Sequence, residues 1–332
     1  MEAHFLTRDF AKYIQTLKPV PPPLLSPDAK GLAQPPLSNV NVPWEMFLDL
    51  GAGRIGRMDE AGIDMQVLSL YVPPDSNRRI QMFEPKEAMI WAKRVNDDLA
   101  AAVTKHSDRF IGLAALPVQS PDDAADELER SVKTLGLKGA NITSHAQNEY
   151  LDNEKYWVIF ETAEKLDVPI YLHPSYPSAA IASALTGYGG ILASASYGFA
   201  VDVSLHMMRL IMSGLFDKYP RLKVILGHMG EGLPFWFTRM DMQWRRRATT
   251  PPIKRRPSEY IKTQCTMNTS GMFYVPALMC AYMGMGAEKI AFGSDYPIED
   301  VWEALRFMKE TQLSAAEKEQ IYHGNAEALF KL

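Results

Sequence analysis

Val168-Pro169-Ile170-Tyr171-Leu172-His173 is the stretch of sequence from which the fold can be inferred. It is a short apolar run that ends in a histidine, and its composition is typical of a β-strand. Helical periodicity precedes it at Glu154–Leu166 and follows it at Asp202–Phe216. A strand between two helices is expected in a parallel sheet, because parallel neighbours need a crossover connection.

The alternation of strand and helix continues along the chain. Further strands are predicted at Met65–Leu70, Phe110–Leu116, Leu137–Ile142, Leu222–Leu226, Cys265–Asn268 and Lys289–Phe292. Further helices are predicted at Lys86–Lys105, Asp122–Thr134, Pro276–Met283 and Val301–Lys309. An N-terminal strand ending near His4 makes eight strands, so this α/β chain is expected to form a (β/α)8 TIM barrel rather than an open doubly wound sheet.

Composition narrows the function classes. The 332 residues carry 35 Lys and Arg against 39 Asp and Glu, a formal charge of −4, so no basic excess for a nucleic-acid partner is present. Two cysteines without a CxxC spacing, Cys265 and Cys280, favour a reducing, cytoplasmic setting. The N-terminus has no apolar signal region and no stretch approaches about 18 apolar residues, so neither export nor a membrane association is expected.

The segment from about 19 to 43 is rich in proline, which disfavours regular helix and strand. Helix-like sequence flanks the segment, so it is either a flexible linker or an excursion packed over one face of the barrel. No internal repeat is evident beyond the β/α alternation. Residues 1–332 are therefore expected to form a single TIM-barrel domain that carries this Pro-rich insertion.

The segment Gly51-Ala52-Gly53-Arg54-Ile55-Gly56 matches the dinucleotide-binding pattern G-x-G-x-x-G. In that pattern a strand comes first, so that a pyrophosphate meets the N-terminus of the following helix. Trp44–Leu50, which precedes the match, carries Glu45 and Asp49 and has helical periodicity instead. A nicotinamide cofactor is therefore not expected.

Histidines and carboxylates stand where predicted strands end. His173, His228 and Asp295 each lie at or just after the end of a strand. In a parallel barrel those ends meet at one rim, where catalytic groups collect. Glu2 and His4 add two more groups if they end the first strand. Imidazoles with carboxylates suit Zn²⁺ or a similar divalent ion, and an incomplete protein shell leaves room for water or substrate.

Each of these residues also has a plain structural interpretation. A single His after a strand is most often a hydrogen-bonded structural residue, and Asp295 before Tyr296-Pro297 can simply begin a turn. Three coincident rim positions are more informative than one. Among the other histidines, His145 follows a strand end and can border the pocket, whereas His206 lies on an apolar helix, as expected of a core or interface residue.

Short motifs spread over most of the chain carry a family resemblance. They are Glu2-Ala3-His4-Phe5, Arg54-Ile55 through Met58-Asp59 to Gly62-Ile63-Asp64, Asp108-Arg109-Phe110, Ala115-Leu116-Pro117, Tyr171-Leu172-His173-Pro174, Gly214-Leu215-Phe216-Asp217, Gly227-His228-Met229-Gly230-Glu231-Gly232-Leu233-Pro234 and Ser294-Asp295-Tyr296-Pro297. At these residues the sequence resembles the amidohydrolase-related decarboxylases, which include γ-resorcylate (2,6-dihydroxybenzoate) and 5-carboxyvanillate decarboxylases. The resemblance implies a distorted, amidohydrolase-type TIM barrel, a single divalent metal and a homodimer or homotetramer.

The resemblance also implies roles for particular residues. The implied metal ligands are Glu2, His4, His173 and Asp295. His228 and Glu231 are implied to support Asp295, which makes all three catalytic. Zn²⁺ is favoured, Mn²⁺ suits the same ligand set, and no organic cofactor is implied.

The implied reaction is the non-oxidative decarboxylation of an ortho-hydroxylated aromatic acid, which makes the chain a carboxy-lyase with a small aromatic acid as substrate. Asp295, holding a proton near neutral pH, would protonate the ring carbon that bears the carboxylate, which then leaves as CO₂.

Two positions depart from the family pattern. Family members usually have several strand residues before the Glu-x-His motif, which begins here at Glu2, so the first strand is expected to be nearly absent or to start upstream. Thr143 stands at a strand end where the benzoate decarboxylases commonly have Asn. Substrate-binding residues are therefore left unassigned.

Two other function classes compete with decarboxylation. The same metal site can support hydrolysis of an ester, lactone or amide, with Asp295 as general base on a metal-bound water. Solvent ¹⁸O in a product carboxylate would indicate hydrolysis, whereas solvent deuterium on a product carbon would indicate decarboxylation. The third class, a metal-free scaffold, has no physical need to cluster these groups. Decarboxylation is therefore the leading hypothesis.

Overall fold

A computed structural model describes residues 1–17, 42–71, 78–185, 187–188, 190–247 and 253–332. Apart from Val42 and Pro43, the predicted Pro-rich insertion at about 19–43 lies outside the described residues.

Short parallel strands form the centre of the described structure. They are β1 (Ala3–Phe5), β2 (Gln66–Leu70), β3 (Phe110–Gly112), β4 (Ala114–Ala115), β5 (Ala140–Thr143), β6 (Pro169–His173), β7 (Lys223–Leu226), β8 (Cys265–Asn268) and β9 (Ile290–Ala291). They pair in the orders β1-β2-β3 and β4-β5-β6-β7-β8-β9. Thr143 lies opposite His173 in the β5–β6 register, so these two residues end neighbouring strands at the same level.

The two sheets join through a kink between β3 and β4. Only Leu113 separates these strands, and its amide donates to Leu68 O of β2 at 2.9 Å. The next amide, that of Ala114, donates to Gly139 O beside β5, also at 2.9 Å. The single strand predicted at Phe110–Leu116 therefore changes neighbours at one residue.

The barrel closes between the last strand and the first. Ala3 bridges in parallel to Tyr296, beyond β9, and the His4 amide donates to Tyr296 O at 2.6 Å. With β3 and β4 taken as one kinked strand, eight strands surround the centre. The (β/α)8 TIM barrel expected from the sequence is confirmed, in a distorted form.

Helices follow the strands and cover the barrel. The α-helices are Arg8–Thr16, Trp44–Leu48, Ala52–Ala61, Pro85–Lys105, Pro121–Lys133, Trp157–Leu166, Ala179–Ala182, Gly198–Met212, Leu215–Lys218, Leu233–Arg245, Pro257–Gln264, Val275–Met285, Val301–Glu310, Ala315–Glu319 and Asn325–Phe330. Short 3₁₀ turns occupy Ile80–Met82, Glu154–Tyr156, Ser183–Leu185, Ile191–Ala193 and Ala287–Lys289, and a π turn occupies Gln320–Gly324. The helix predicted at Asp202–Phe216 is interrupted at Gly214, whose φ of 86° lies outside the helical range.

Apolar side chains fill the barrel interior beneath the rim. This layer contains Val67, Ile111, Leu113, Tyr171 and Ile225, all buried. The rim is therefore a pocket with an apolar floor and not the mouth of a channel.

The helical run Ile191–Met212 is long and apolar enough to cross a membrane by length and composition alone, which differs from the expectation that no stretch approaches that length. Its long helix, Gly198–Met212, packs on the barrel through Met207 and Leu210, which are buried. Asp202 and His206 on the same helix are also fully buried and polar. One face of this helix therefore packs on the barrel and buries polar side chains there.

Candidate active site

Glu2 stands at the centre of the rim, just before β1, with its two carboxylate oxygens in different environments. Oε2 accepts hydrogen bonds from Asn268 Nδ2 at 3.0 Å and from the hydroxyls of Tyr171 and Ser270. Oε1 has no hydrogen-bond donor assigned to it among the described residues, and it faces His173 Nε2 at 2.9 Å and His4 Nε2 at 3.6 Å. One oxygen is thus held by the protein and the other points at two imidazoles.

The two histidines present their Nε2 atoms to Glu2. His173 Nδ1 donates to Pro174 O at 2.6 Å, which leaves Nε2 as the nitrogen with a lone pair. His4 Nδ1 lies 3.1 Å from Ser69 Oγ, so its Nε2 is likewise directed into the cluster. Ligand atoms of Glu2, His4 and His173 all lie within 4.8 Å of one another, and all three residues are buried. This spacing suits a single metal ion.

Asp295 follows β9 and joins the cluster through His4. Its Oδ1 lies 2.9 Å from His4 Nε2. Its Oδ2 lies beside Gly271: a Cβ added there would be 3.3 Å from Oδ2 and 3.0 Å from His228 Cδ2. Gly271 also has a φ of 62°, so glycine is required for its conformation and for its space. Asp295 and His228 therefore border the same small gap.

A left-handed turn after β7 sets the position of His228. The φ angles of His228, Met229 and Glu231 are 50°, 56° and 54°, and those of Gly230 and Gly232 are 74° and 75°. Each non-glycine residue in this conformation costs roughly 1–2 kcal/mol. Such strain persists where the surrounding structure imposes it, and it concentrates at functional sites.

His228, which is partly buried, and Glu231, which is buried, form a pair within this turn. Glu231 Oε1 lies 2.7 Å from His228 Nδ1. Burial alone would lower the pKa of His228, but the charge and hydrogen bond of Glu231, with the charges of Glu2 and Asp295, raise it to about 10. The imidazole is therefore protonated and positively charged near neutral pH.

Opposing effects act on Glu2. Burial would raise the pKa of Glu2, yet the neighbouring imidazoles of His173, His228 and His4 hold it well below its ordinary value. The carboxylate of Glu2 is therefore ionised, which is the state in which a carboxylate binds a metal ion.

Arg54, the one charged residue of the G-x-G-x-x-G match, fixes β1 from outside. A helix and not a strand, Trp44–Leu48, precedes the match, in agreement with the sequence analysis. The fully buried guanidinium donates to His4 O at 2.7 Å, Met46 O at 2.9 Å and Asp49 O at 2.7 Å. Arg54 therefore anchors the strand that carries His4. The segment lacks the strand that precedes a dinucleotide-binding motif, so it does not indicate a dinucleotide site.

The four other histidines, His106, His145, His206 and His323, lie apart from the cluster. His145 uses both ring nitrogens in hydrogen bonds, with Tyr176 O at 3.1 Å and the Asn148 amide at 3.0 Å. His206 Nε2 accepts from the Leu151 amide at 3.0 Å in the core. His323 is exposed between two glutamates.

Several residues that hold the cluster were missed by sequence reasoning. They are Ser69, Tyr171, Asn268, Ser270 and Gly271. The run Asn268-Thr269-Ser270-Gly271 begins at the last residue of a predicted strand, close to the position that His173 has after its own strand, so the sequence did carry a signal for it.

A parallel eight-stranded barrel with histidines and carboxylates at its carboxyl rim is typical of metal-dependent TIM-barrel enzymes. Comparison with known proteins identifies the family. The profile of the amidohydrolase family matches residues 5–332, and the chain belongs to this family. Within it, the chain is 41% identical over 294 residues to the γ-resorcylate decarboxylase of a Polaromonas species, covering 86% of this chain and 89% of that protein.

Solved structures of similar decarboxylases also match this chain. A Polaromonas dihydroxybenzoic acid decarboxylase with bound manganese and the inhibitor 2-nitroresorcinol matches with a TM-score of 0.84 and 38% identity, over 99% of this chain and 95% of that chain. A 5-carboxyvanillate decarboxylase from Novosphingobium aromaticivorans, with manganese and 4-hydroxy-3-methoxy-5-nitrobenzoic acid, matches with a TM-score of 0.84 and 33% identity, over 99% of this chain and 94% of that chain.

Proposed function

We propose that this chain is a metal-dependent carboxy-lyase that removes the carboxylate of an ortho-hydroxylated aromatic acid without oxidation. The observation that carries the proposal is the similarity to a γ-resorcylate decarboxylase over 86% of this chain, combined with the buried Glu2–His4–His173 cluster. The relatives bind hydroxylated nitroaromatic compounds together with manganese, which favours decarboxylation over hydrolysis. The substrate class is therefore a hydroxybenzoate.

The residues at the rim fit a divalent metal ion. Glu2 Oε1 is a buried carboxylate oxygen without a hydrogen-bond donor among the described residues, and such an atom is costly unless something else satisfies it. Glu2, His4, His173 and Asp295 would hold the ion. A bound divalent ion would supply a Lewis acid that stabilises negative charge on the oxygens of the substrate. Zn²⁺ is the ion predicted from the sequence, and the manganese in relatives makes Mn²⁺ the second candidate.

Asp295 carries the chemical step in this proposal. In the substrate complex Asp295 carries a proton and gives it to the ring carbon that bears the carboxylate. This transfer forms a C–H bond and interrupts the aromatic system. The C–C bond to the carboxylate then breaks, its electron pair returns to the ring, and CO₂ leaves. Neither oxidant nor reductant is needed, because one proton replaces one CO₂.

His228 and Glu231 prepare Asp295 for the next turnover. The imidazolium of His228 borders the same gap as Asp295 Oδ2 beside Gly271. It can return a proton to Asp295, while Glu231 at 2.7 Å holds the ring in position and favours its charged form. The strained turn therefore has a use in the reaction.

We infer a cytoplasmic enzyme with a single domain that carries the insertion at about 19–43, as the sequence pattern predicts. The family resemblance implies that it forms a homodimer or homotetramer.

Metal content tests the site directly. Purification without chelators, followed by plasma mass spectrometry, is expected to give about one Zn or Mn per chain. His173→Ala and Glu2→Gln should each lose most of this metal while keeping the wild-type circular dichroism spectrum. His323→Ala, a control at an exposed histidine, should retain it. Metal-free wild type after reconstitution, or full metal content in both site variants, would overturn this ligand assignment.

A further inference from the structure

A cavity at the carboxyl ends of β2, β4 and β5 is lined by polar side chains that the described protein does not satisfy. Arg79 Nε, Gln81 Nε2 and Asn141 Oδ1 are buried and have no hydrogen-bond partner among the described residues. The three side chains are 3%, 3% and 5% exposed. Because buried polar groups are nearly always paired, three unpaired atoms around one cavity point to a bound group that the described residues do not supply.

This cavity adjoins the metal cluster. Thr143, which also lines it, ends β5 opposite His173, and the ring of Tyr71, another lining residue, lies 6.2 Å from that of His4. Asn141 lies opposite Tyr171, whose hydroxyl donates to Glu2. A molecule held at the cluster is therefore near enough to place a substituent in this cavity.

The protein fixes the direction of these polar groups. Gln81 Oε1 accepts from the Thr143 amide at 2.6 Å and from the Thr143 hydroxyl, so Gln81 Nε2 is the amide's remaining donor. Arg79 donates through its terminal nitrogen to Ser175 Oγ, which anchors the guanidinium. The cavity thus presents two N–H donors and the acceptor Asn141 Oδ1.

We propose that Arg79, Gln81 and Asn141 form a subsite for a second hydroxyl on the aromatic ring of the substrate, and this inference rests on the proposed function. A neutral hydroxyl accepts two hydrogen bonds and donates one, which matches the two donors and the acceptor. The cavity has a volume of about 20 Å³, enough for a group the size of a water molecule. A methoxyl oxygen or an ionised carboxylate has no hydrogen to donate to Asn141 Oδ1. The chain is therefore specific for a dihydroxybenzoate over a methoxylated hydroxybenzoate.

Binding of two ligands that differ by one hydroxyl tests the subsite. The Mn²⁺-loaded chain is titrated calorimetrically with 2-nitroresorcinol and with 2-nitrophenol. Wild type is expected to bind 2-nitroresorcinol about 10- to 100-fold more tightly, as a buried hydroxyl with satisfied partners requires. Asn141→Leu and Arg79→Lys should each reduce that preference to within about threefold. Asn153→Leu, the same change at an exposed asparagine, should leave it intact.

Each variant is compared with itself, so a lower folded fraction does not affect the ratio of the two affinities. Equal affinities in wild type, or an undiminished preference in both subsite variants, would overturn the subsite. Failure of both ligands to bind would overturn the subsite and the proposed function together. An intact preference without CO₂ release from 2,6-dihydroxybenzoate would support the subsite and overturn the proposed function alone.

Discussion

Glu2 Oε1, just before β1, lies 2.9 Å from His173 Nε2 at the end of β6, so the cluster spans the barrel from β1 to β6. The contact exists only when the barrel is closed around it. β1 has three residues, Ala3–Phe5, so its position depends on the residues that bind it from outside the barrel, such as Arg54. The integrity of the site is therefore coupled to the contacts of β1.

Arg54→Lys tests that coupling. The guanidinium makes several fixed hydrogen bonds to backbone carbonyls around β1, which a single ammonium cannot reproduce. We expect a loss of about 2–4 kcal/mol in the free energy of unfolding and a roughly tenfold or greater loss of metal affinity. Chemical denaturation and metal titration measure the two effects. Arg57→Lys, at a half-exposed position on the same helix, should change neither, and an unaltered Arg54→Lys would refute the coupling.

Glu231→Gln tests the pair in the left-handed turn. Without the carboxylate the pKa of His228 falls from about 10 towards its ordinary value, so the imidazole loses charge near neutral pH. The expected result is a 10- to 100-fold lower kcat for CO₂ release with metal content unchanged. Glu319→Gln removes a carboxylate from an exposed histidine and serves as the control. A wild-type kcat in Glu231→Gln would show that the pair is only structural.

His206 makes the fold sensitive to acid. Burial, with the charges of His145 and Arg209, lowers the pKa of His206 to about 3. In the unfolded chain the His206 imidazole takes up a proton near pH 6.5. His206 therefore does not affect the free energy of unfolding above that pH, and it lowers this free energy as the pH falls from 6.5 towards 3. The loss is about 1.4 kcal/mol per pH unit at most.

His206→Gln removes the titration while keeping an acceptor for the Leu151 amide. Between pH 7 and pH 5, denaturant unfolding should show wild type losing about 2 kcal/mol more than the variant. His323→Gln, at an exposed site, should not reproduce this difference. Parallel pH dependence in wild type and His206→Gln would argue against a neutral buried imidazole.

Much of the fold was accessible from the sequence because strand ends in a parallel barrel share one rim. His173, His228 and Asp295 could be placed together on that ground alone. The kink at Leu113 could not be predicted from the sequence, because it depends on which strand accepts each backbone hydrogen bond. The turn at His228–Glu231 was also hidden, since non-glycine residues ordinarily avoid positive φ. Contacts such as Asn268 to Glu2 depend on packing across the barrel, which periodicity does not reveal.

The identity of the proton donor is the central claim, and turnover of 2,6-dihydroxybenzoate in D₂O by the metal-loaded chain tests it most directly. Mass spectrometry and proton NMR should find 1,3-dihydroxybenzene with one deuterium on the carbon that carried the carboxylate, together with an equal amount of CO₂. Asp295→Asn should retain its metal and its fold and react about 1,000-fold more slowly. Product without solvent deuterium at that carbon, or Asp295→Asn turning over at the wild-type rate, would contradict protonation by Asp295.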